Sequence, residues 1–171
     1  KLDVLVNSAG EYLERSIEET SEVEFDRILA VNLKGTYFIS KAALPALKQS
    51  RGCIVNVSSD AGLTGNINCS AYCAAKGAVT LFTKALALET APQGVRVNCV
   101  CPGDIDTPML ARQLSAVENP TAARRDMESV YPLGRIGTPN EVAGVILFLA
   151  AEAASFVTGA AWSVDGGLTA I

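Results

Sequence analysis

Histidine is absent from the 171-residue chain. Histidine is the base of Ser-His and Cys-His nucleophilic pairs and a frequent zinc ligand, so its absence excludes these pairs and every His-based metal site. A general base in this chain must then be a tyrosine, a lysine, a carboxylate or a thiol. This restriction directs attention to the tyrosines and lysines.

Long hydrophobic runs and excess positive charge are also absent. No run of 18 apolar residues occurs, so the sequence predicts no membrane span. The 18 acidic residues outnumber the 14 Lys and Arg, which are scattered, and this balance disfavours nucleic acids and anionic membranes as partners. With 49% hydrophobic and 19% charged residues, the composition predicts one globular domain over residues 1–171.

Cysteine is present, but its spacing is not typical of a disulfide framework or of zinc ligation. The five cysteines are Cys53, Cys69, Cys73, Cys99 and Cys101. Because the number is odd and no signal peptide is visible, we expect a reducing, cytoplasmic location. A four-thiolate zinc site is the weaker alternative, since C-x-x-C spacing is lacking. We therefore interpret these residues as small buried apolar side chains and predict no metal site.

Short apolar runs alternate with longer helical patterns along the chain. Predicted strands cover 2–7, 53–58, 95–101 and 160–165. Predicted helices cover 22–48, 71–89 and 139–151, with short helices near 108–116 and 121–130. Pro45 is expected to kink or restart the first helix. Apolar strands that alternate with helices predict an α/β fold, a doubly wound parallel sheet in three α/β/α layers with right-handed crossovers.

Distinctive sequences follow the predicted strands at the points where they end. In doubly wound sheets, ligands bind beyond the carboxyl ends of the strands, so these sequences predict a site at that edge. They are Asn7-Ser8-Ala9-Gly10, Ser58-Ser59 and Pro102-Gly103-Asp104.

Tyr72 and Lys76 lie one helical turn apart on the same face of a predicted helix. A free tyrosine has a pKa of about 10, and a neighbouring cation favours the phenolate and lowers that pKa toward neutrality. Ser59, thirteen residues upstream, can give the same substrate oxygen a second hydrogen bond. This set suits proton transfer to or from an alcohol or carbonyl oxygen. An isolated Tyr-x-x-x-Lys is usually an ordinary surface pair, so the interpretation depends on the rest of the chain.

The order and spacing of the motifs closely resemble the short-chain dehydrogenase/reductase family over essentially all 171 residues. The motifs are Asn7-Ser8-Ala9-Gly10, Val31-Asn32-Leu33-Lys34-Gly35, Ile54-Val55-Asn56-Val57-Ser58-Ser59, Tyr72-x-x-x-Lys76, Val97-Asn98 with Pro102-Gly103, and Thr158-Gly159 with Val164-Asp165-Gly166-Gly167. The resemblance implies a Rossmann-like fold and reversible hydride transfer between NAD or NADP and a small alcohol or carbonyl substrate.

The resemblance assigns four catalytic residues. It implies that Tyr72 is the general acid in reduction and the general base in oxidation, while Lys76 lowers its pKa and binds the nicotinamide ribose. It implies that Ser59 polarises the substrate oxygen, in the manner of an oxyanion hole. Asn32 is then the residue that holds a water in the proton relay. The alternative for Asn32 is a side chain that kinks a helix by bonding to the backbone.

Cofactor-binding positions also follow from the resemblance. They are Asn7, Ala9, Gly10, Tyr72, Lys76, Pro102, Gly103, Ile105 and Thr107. The segment that begins at Asn7 matches the part of the family that lines the adenosine and braces the sheet. Ser8 departs from the family, which usually has a second asparagine there. Pro102 and Gly103 match the turn that packs beside the nicotinamide.

Substrate positions are expected near the reacting carbon, at Asp60, Ala61, Cys69 and Asp104. Asp104 is unusual beside the Pro-Gly turn, where a small or apolar residue is expected. One hypothesis is that Asp104 accepts a hydrogen bond from a second hydroxyl, which favours a polyol, sugar or diol. The alternative is a turn or helix-capping aspartate without substrate contact.

The family's glycine-rich turn, which holds the cofactor pyrophosphate, has no counterpart in this sequence. Lys1 matches the start of the family's fourth strand, so we expect two to three βα units to be absent and the chain to be the C-terminal two-thirds of the domain. The residue that selects NAD or NADP belongs to the absent part, so the preference is not assigned.

The helical patterns at 22–48 and 71–91 carry more apolar surface than one sheet face needs, and the resemblance implies a homotetramer or homodimer through them. The first alternative to an oxidoreductase is a non-catalytic fragment or scaffold that binds no cofactor. The second is a sugar-nucleotide epimerase or dehydratase, which shares the Tyr-x-x-x-Lys pair.

Overall fold

A computed structural model describes residues 1–170, whose strands form one parallel sheet. The strands are β1 (Val4–Asn7), β2 (Cys53–Val57), β3 (Arg96–Pro102) and β4 (Ala161–Val164), in the order β1-β2-β3-β4. Their register places Asn7 opposite Asn56 and Pro102 opposite Val164. The predicted parallel sheet is confirmed.

Six α-helices connect or follow these strands within the described residues. They are α1 (Glu22–Leu29), α2 (Gly35–Ser50), α3 (Ser70–Thr90), α4 (Pro108–Ser115), α5 (Pro120–Ser129) and α6 (Pro139–Ala150). Short 3-10 turns lie at Asp60–Gly62, Ala91–Gln93 and Glu152–Ala154. Helix α1 begins at a capping box in which the side chain of Ser21 and the side chain of Glu24 each bond the other residue's backbone N–H.

The predicted helix over 22–48 is divided, but not at Pro45. A π-helical turn at Ala30–Lys34 separates α1 from α2, whereas α2 continues through Pro45. Within this turn, Asn32 Nδ2 donates a 3.0 Å hydrogen bond to the carbonyl of Ile28. A side chain that engages a helical carbonyl is one cause of local widening, and such turns are frequent at functional sites.

The hydrophobic core lies on both faces of the sheet. Ile54 packs with apolar residues of α2 and α3, whereas its neighbour Val55 packs with residues of α6. Successive residues of a strand point to opposite faces, so α3 and α6 cover opposite faces. The three-layer, doubly wound arrangement predicted from the apolar strands is confirmed.

The prediction that every crossover is right-handed is wrong. The strands are parallel and adjacent in sequence order, while α3 links β2 to β3 on one face and α6 links β3 to β4 on the other. Two such crossovers necessarily have opposite hands.

No helix within residues 1–170 is both long and apolar enough to cross a lipid bilayer. The five cysteines are free thiols, and four of them are buried, as expected for small apolar side chains. Among the same residues, no three histidine, cysteine or carboxylate side chains are grouped closely enough to hold a metal ion.

Candidate active site

The candidate site lies where the carboxyl ends of β1, β2 and β3 meet at one edge of the sheet. Ser59 begins the 3-10 turn that follows β2, in extended backbone geometry, and its Oγ accepts a 3.2 Å hydrogen bond from Ala61 N. The Ser59 hydroxyl donates at 2.7 Å to Oδ1 of Asp60, which is itself only 9% exposed. The sequence analysis named both residues but did not predict this contact.

Tyr72 lies in the first turn of α3 and is 8% exposed. It forms a small apolar cluster with Ala61 and Cys69, which the sequence analysis assigned to the substrate site. Tyr12, from the loop after β1, packs edge-on against Tyr72, with 5.1 Å between ring centroids. The Tyr12 hydroxyl lies 3.3 Å from Cys69 Sγ. Tyr12 was missed because its loop has no regular periodicity.

Lys76 lies one turn further along α3 and is 4% exposed. Its Nζ donates a 3.0 Å hydrogen bond to the carbonyl of Val57, at the end of β2, and lies 5.7 Å from the centroid of the Tyr72 ring. Burial lowers the pKa of Lys76 to about 8, because the charged form loses hydration. The lysine is therefore held at the strand end, beside the tyrosine ring.

The pKa of Tyr72 does not shift in the direction expected from the sequence. Burial raises it to about 12, the hydrogen-bonding influence of Ser59 opposes this rise, and the negative charge of Asp60 adds to it. The predicted lowering depends on a cation close to the phenol oxygen, and Lys76 is instead hydrogen-bonded to Val57. In this structure the phenol is thus the stable form near neutral pH.

Asn32 is 1% exposed, and its side chain makes three hydrogen bonds. Besides its bond to Ile28, its Nδ2 donates to the carbonyl of Glu11 at 2.9 Å and its Oδ1 accepts from Glu11 N at 3.2 Å. The helix-bonded alternative considered for Asn32 is therefore present. A Cβ on Gly10 would lie 3.0 Å from Asn32 Oδ1 and 3.4 Å from Lys76 Nζ. Gly10 thus lies directly beside two of the residues assigned to catalysis.

Asn7 is separated from this cluster because its side chain is used within the sheet. Its Nδ2 donates to Ser40 Oγ at 2.9 Å and to Asn56 Oδ1 at 2.8 Å. Asn7 is buried, whereas Ala9, in the same motif, is exposed. The geometry gives Asn7 the bracing role that the resemblance implied and leaves Ala9 accessible.

The turn after β3 brings Asp104 to the same edge. Its backbone N donates to the hydroxyl of Tyr131 at 2.7 Å, and a Cβ on Gly103 would lie 2.9 Å from the Tyr131 ring. Burial raises the pKa of the Asp104 carboxyl, and the charges of Asp60 and Glu14 add to the rise. Asp104 thus lies within electrostatic range of Asp60. Tyr131 was missed because it lies in the irregular segment after α5.

The other cofactor positions predicted at the end of β3 and after it lie away from the Tyr72 cluster. Pro102 pairs with Val164 on β4, and the half-buried Ile105 packs against the α6 side of the core instead of the Tyr72 cluster. Thr107 is the N-cap residue of α4, so Asp104 is not the cap of that helix. A cavity of about 460 Å³ beside this turn includes Asp104 among its lining residues and extends toward the end of β4.

The known proteins that match this chain belong to one family. A family model described as Enoyl-(Acyl carrier protein) reductase matches residues 1–169. The chain is 44% identical to 2-(S)-hydroxypropyl-CoM dehydrogenase 3 of Xanthobacter autotrophicus, over 98% of this chain and 66% of that protein. It is 46% identical to L-fucose dehydrogenase of Bos taurus, over 98% of this chain and 62% of that protein.

A solved structure agrees with these relatives. The structure described as ElxO with NADP bound superposes with a TM-score of 0.92 at 38% identity, covering 100% of this chain and 68% of that one. The chain thus spans about two-thirds of the length of the proteins that it matches. On the extent and identity of these matches, the chain belongs to the short-chain dehydrogenase/reductase family.

Proposed function

We propose that the protein containing this chain is an NAD(P)-dependent oxidoreductase that interconverts a secondary alcohol and a ketone by hydride transfer. The observation that carries this proposal is the convergence of Ser59, Tyr72 and Lys76 at the carboxyl edge of the sheet. The named dehydrogenase activities of the relatives support it. Residues 1–171 then form one domain, the C-terminal two-thirds of the catalytic domain.

In this proposal, Tyr72 is the general acid/base. Its Oη gives a proton to the ketone oxygen in reduction and takes one from the alcohol in oxidation. Ser59 hydrogen-bonds the same substrate oxygen, and Lys76, whose Nζ lies 5.7 Å from the centroid of the Tyr72 ring, is the group that binds the nicotinamide ribose. Asn32 bonds the backbone of Glu11, and its Oδ1 and Lys76 Nζ both border the space beside Gly10, which suits a residue that holds a relay water.

The nicotinamide cofactor supplies or accepts the hydride when it is bound. The residues present fit such a group, because Gly10 has no side chain and leaves the space between Asn32 and Lys76 open at the strand edge. The residues that would hold the cofactor are Asn7, Ala9, Gly10, Tyr72, Lys76, Pro102, Gly103, Ile105 and Thr107. The related structure with NADP supports a nicotinamide cofactor, and both NAD and NADP are retained as candidates.

The substrate proposed here is a small alcohol or carbonyl that carries a second hydroxyl. Asp60, Ala61, Cys69 and Asp104 are the substrate positions. Asp104 is half-buried and is not the cap of α4, and its carboxylate, beside the Tyr131 hydroxyl, can accept a further hydrogen bond from a substrate hydroxyl. A relative named for the sugar L-fucose supports a polyol or sugar.

We also propose a homodimer or homotetramer in the cytoplasm. The free cysteines support a reducing compartment. Helices α2 and α3 expose large apolar side chains, including Phe38 at 51%, Leu81 at 68% and Leu88 at 80%. Such a patch is typical of a protein–protein contact, in this case between copies through helices 22–48 and 71–91. A monomer by light scattering of the complete protein would contradict the oligomer.

The test of the function is Tyr72→Phe in the complete protein, with Tyr37→Phe on α2 as the matched control. Loss of a general acid/base lowers turnover by roughly two to four orders of magnitude, while fluorescence titration shows that the variant still binds the cofactor. Tyr37→Phe retains normal turnover. Near-normal turnover in Tyr72→Phe would refute the role of Tyr72. Failure of the wild-type protein to bind NADH or NADPH would instead favour the non-catalytic scaffold.

A further inference from the structure

Tyr12 packs against the ring of Tyr72 and has no part in the proposed function. The two rings meet edge-on at an interplanar angle of 74°, with 5.1 Å between their centroids, which is a favourable geometry for an aromatic pair. Tyr12 also packs against the buried cluster of Ala61, Cys69 and Tyr72. Two of these residues are proposed substrate positions, and the third is the proposed general acid/base. The ring of Tyr12 therefore adjoins the place where the reacting carbon is expected.

The loop after β1 runs from the cofactor side of the site to the substrate side. Gly10 lies beside Asn32 and Lys76, since a Cβ there would lie 3.0 Å from Asn32 Oδ1 and 3.4 Å from Lys76 Nζ. In the proposed function, Lys76 binds the nicotinamide ribose. Two residues further along the loop, Tyr12 lies against the cluster that contains Tyr72. The ring of Tyr12 is thus on the side of the substrate.

Hydrogen bonds hold the backbone on both sides of Tyr12. Glu11 donates its N–H to Asn32 Oδ1 at 3.2 Å, and the Glu11 carbonyl accepts from Asn32 Nδ2 at 2.9 Å. Arg15 N donates to the carbonyl of Asn68 at 2.6 Å, which ties the loop to the segment before α3. The short stretch between these two anchors has little freedom to move away from α3.

The side chain of Tyr12 is held as well as its backbone. Its hydroxyl donates to Glu14 Oε2 at 3.1 Å and lies 3.3 Å from Cys69 Sγ. The ring is thus fixed at its face or edge by Tyr72 and at its tip by polar atoms from the loop and from the start of α3. A substrate that enters the site meets this ring as a rigid wall, because forcing extra volume into a packed region is unfavourable.

We propose that Tyr12 is a specificity-determining residue, whose ring forms the wall of the substrate pocket beside Tyr72 and limits the length of the alkyl substituent on the carbinol carbon. This inference rests on the proposed function. A methylene that a hydrophobic pocket admits or refuses changes kcat/KM by about 10- to 200-fold. The class of substrate selected is then a secondary alcohol whose substituent on this side is short, such as a methyl group.

The test compares two diols that share a secondary carbinol and a second, neighbouring hydroxyl. They are propylene glycol and its homologue with a butyl group in place of the methyl group. Asp104 is the proposed partner of the second hydroxyl, so the alkyl group is the substituent that faces Tyr12. The complete wild-type protein with its cofactor is expected to prefer propylene glycol. In Tyr12→Ala, the ratio of kcat/KM for the butyl homologue to that for propylene glycol is expected to rise at least about tenfold.

Three further variants separate the wall from damage to the loop. Tyr12→Phe keeps the ring and removes the bonds of the hydroxyl, so its ratio is expected to match that of the wild type. Tyr12→Leu keeps part of the volume and is expected to lie between the wild type and Tyr12→Ala, and it decides the question if the alanine variant does not fold. Leu13→Ala alters a half-buried neighbour outside the Tyr72 cluster and is expected to leave the ratio unchanged.

Each outcome supports the inference or overturns it. An unchanged ratio in Tyr12→Ala overturns it, even if turnover falls, since a merely structural residue affects both diols alike. An equal rise in Tyr12→Phe attributes the preference to the hydroxyl, an equal rise in Leu13→Ala attributes it to the loop, and either result overturns the wall. A wild type that oxidises both diols equally well overturns it too. If the wild type oxidises neither diol with NAD+ or NADP+, the proposed function itself fails, which is a distinct result.

Discussion

Asn7 Nδ2 donates a 2.8 Å hydrogen bond to Asn56 Oδ1, across the first two strands of the sheet. Asn7 also donates to Ser40 of α2, and Asn56 Nδ2 donates to Thr83 Oγ1 of α3 at 2.9 Å. This network of buried amides and hydroxyls joins two strands to α2 and α3 on one face of the sheet. Because all its members are buried and bonded, it specifies how the strands and helices are placed.

Replacement of Asn56 tests the strength of this network. Asn56→Ala removes the acceptor of Asn7 and the donor to Thr83 and leaves buried polar atoms unpaired, so we expect a loss of about 1–3 kcal/mol in the free energy of unfolding. The measurement is urea unfolding at equilibrium, with the exposed Asn140→Ala on α6 as control. Equal losses in the two variants would show that the network contributes nothing beyond an ordinary substitution.

The fold was predictable wherever the apolar pattern was regular. The continuous runs in β2 and β3 gave their strands to within one residue at each end, because a buried parallel strand needs apolar residues on both faces. The π-helical turn at Ala30–Lys34 was not predictable, since it depends on the bond from Asn32 to Ile28. The hand of the β3–β4 crossover could not be predicted from the sequence either, because it depends on which face of the sheet α6 covers.

The candidate site was predictable only where its residues lie on regular elements. Ser59, Tyr72 and Lys76 carry a recognisable spacing on a strand end and a helix. Tyr12 and Tyr131 come from irregular loops, where no period indicates which side chains turn toward the site. The raised pKa of Tyr72 depends on how deeply its ring is buried and on the positions of the neighbouring charges, neither of which follows from the spacing of residues in the sequence.

Gly62 has no room for a side chain, because α3 lies against the turn that carries Ser59. A Cβ there would lie 2.8 Å from the Lys76 carbonyl and 2.8 Å from Thr80 Oγ1. Gly62→Ala is expected to lower the free energy of unfolding by about 1–3 kcal/mol through overpacking and to reduce turnover. Gly65→Ala is the matched control, since no atom lies within 4 Å of its Cβ. Similar melting temperatures for the two variants would contradict the prediction.

Lys76 makes stability depend on pH in the alkaline range. Its pKa falls from the usual 10.5 to about 8 on burial, so between these values the unfolded chain binds a proton that the folded chain has released. Stability contributed by this group therefore rises with pH, by up to about 3 kcal/mol over that range. Urea unfolding of wild type and Lys76→Met between about pH 7 and 11 measures it. Subtraction of the Lys76→Met curve removes the titration of the buried thiols, and parallel curves would contradict the prediction.

Asp104 tests the class of substrate. If its carboxylate accepts a hydrogen bond from a second hydroxyl, Asp104→Ala loses a bond to a charged group, about 1.5–3 kcal/mol, only with diols and sugars. We therefore expect kcat/KM to fall by roughly 10- to 100-fold for polyols and to change little for simple secondary alcohols. Asp106→Ala is the control, because Asp106 is an exposed partner of Arg124 on the same loop. If the ratio of kcat/KM between polyols and mono-alcohols is unchanged in Asp104→Ala, the polyol hypothesis is wrong. The proposed role of Tyr72 as general acid/base does not depend on this result.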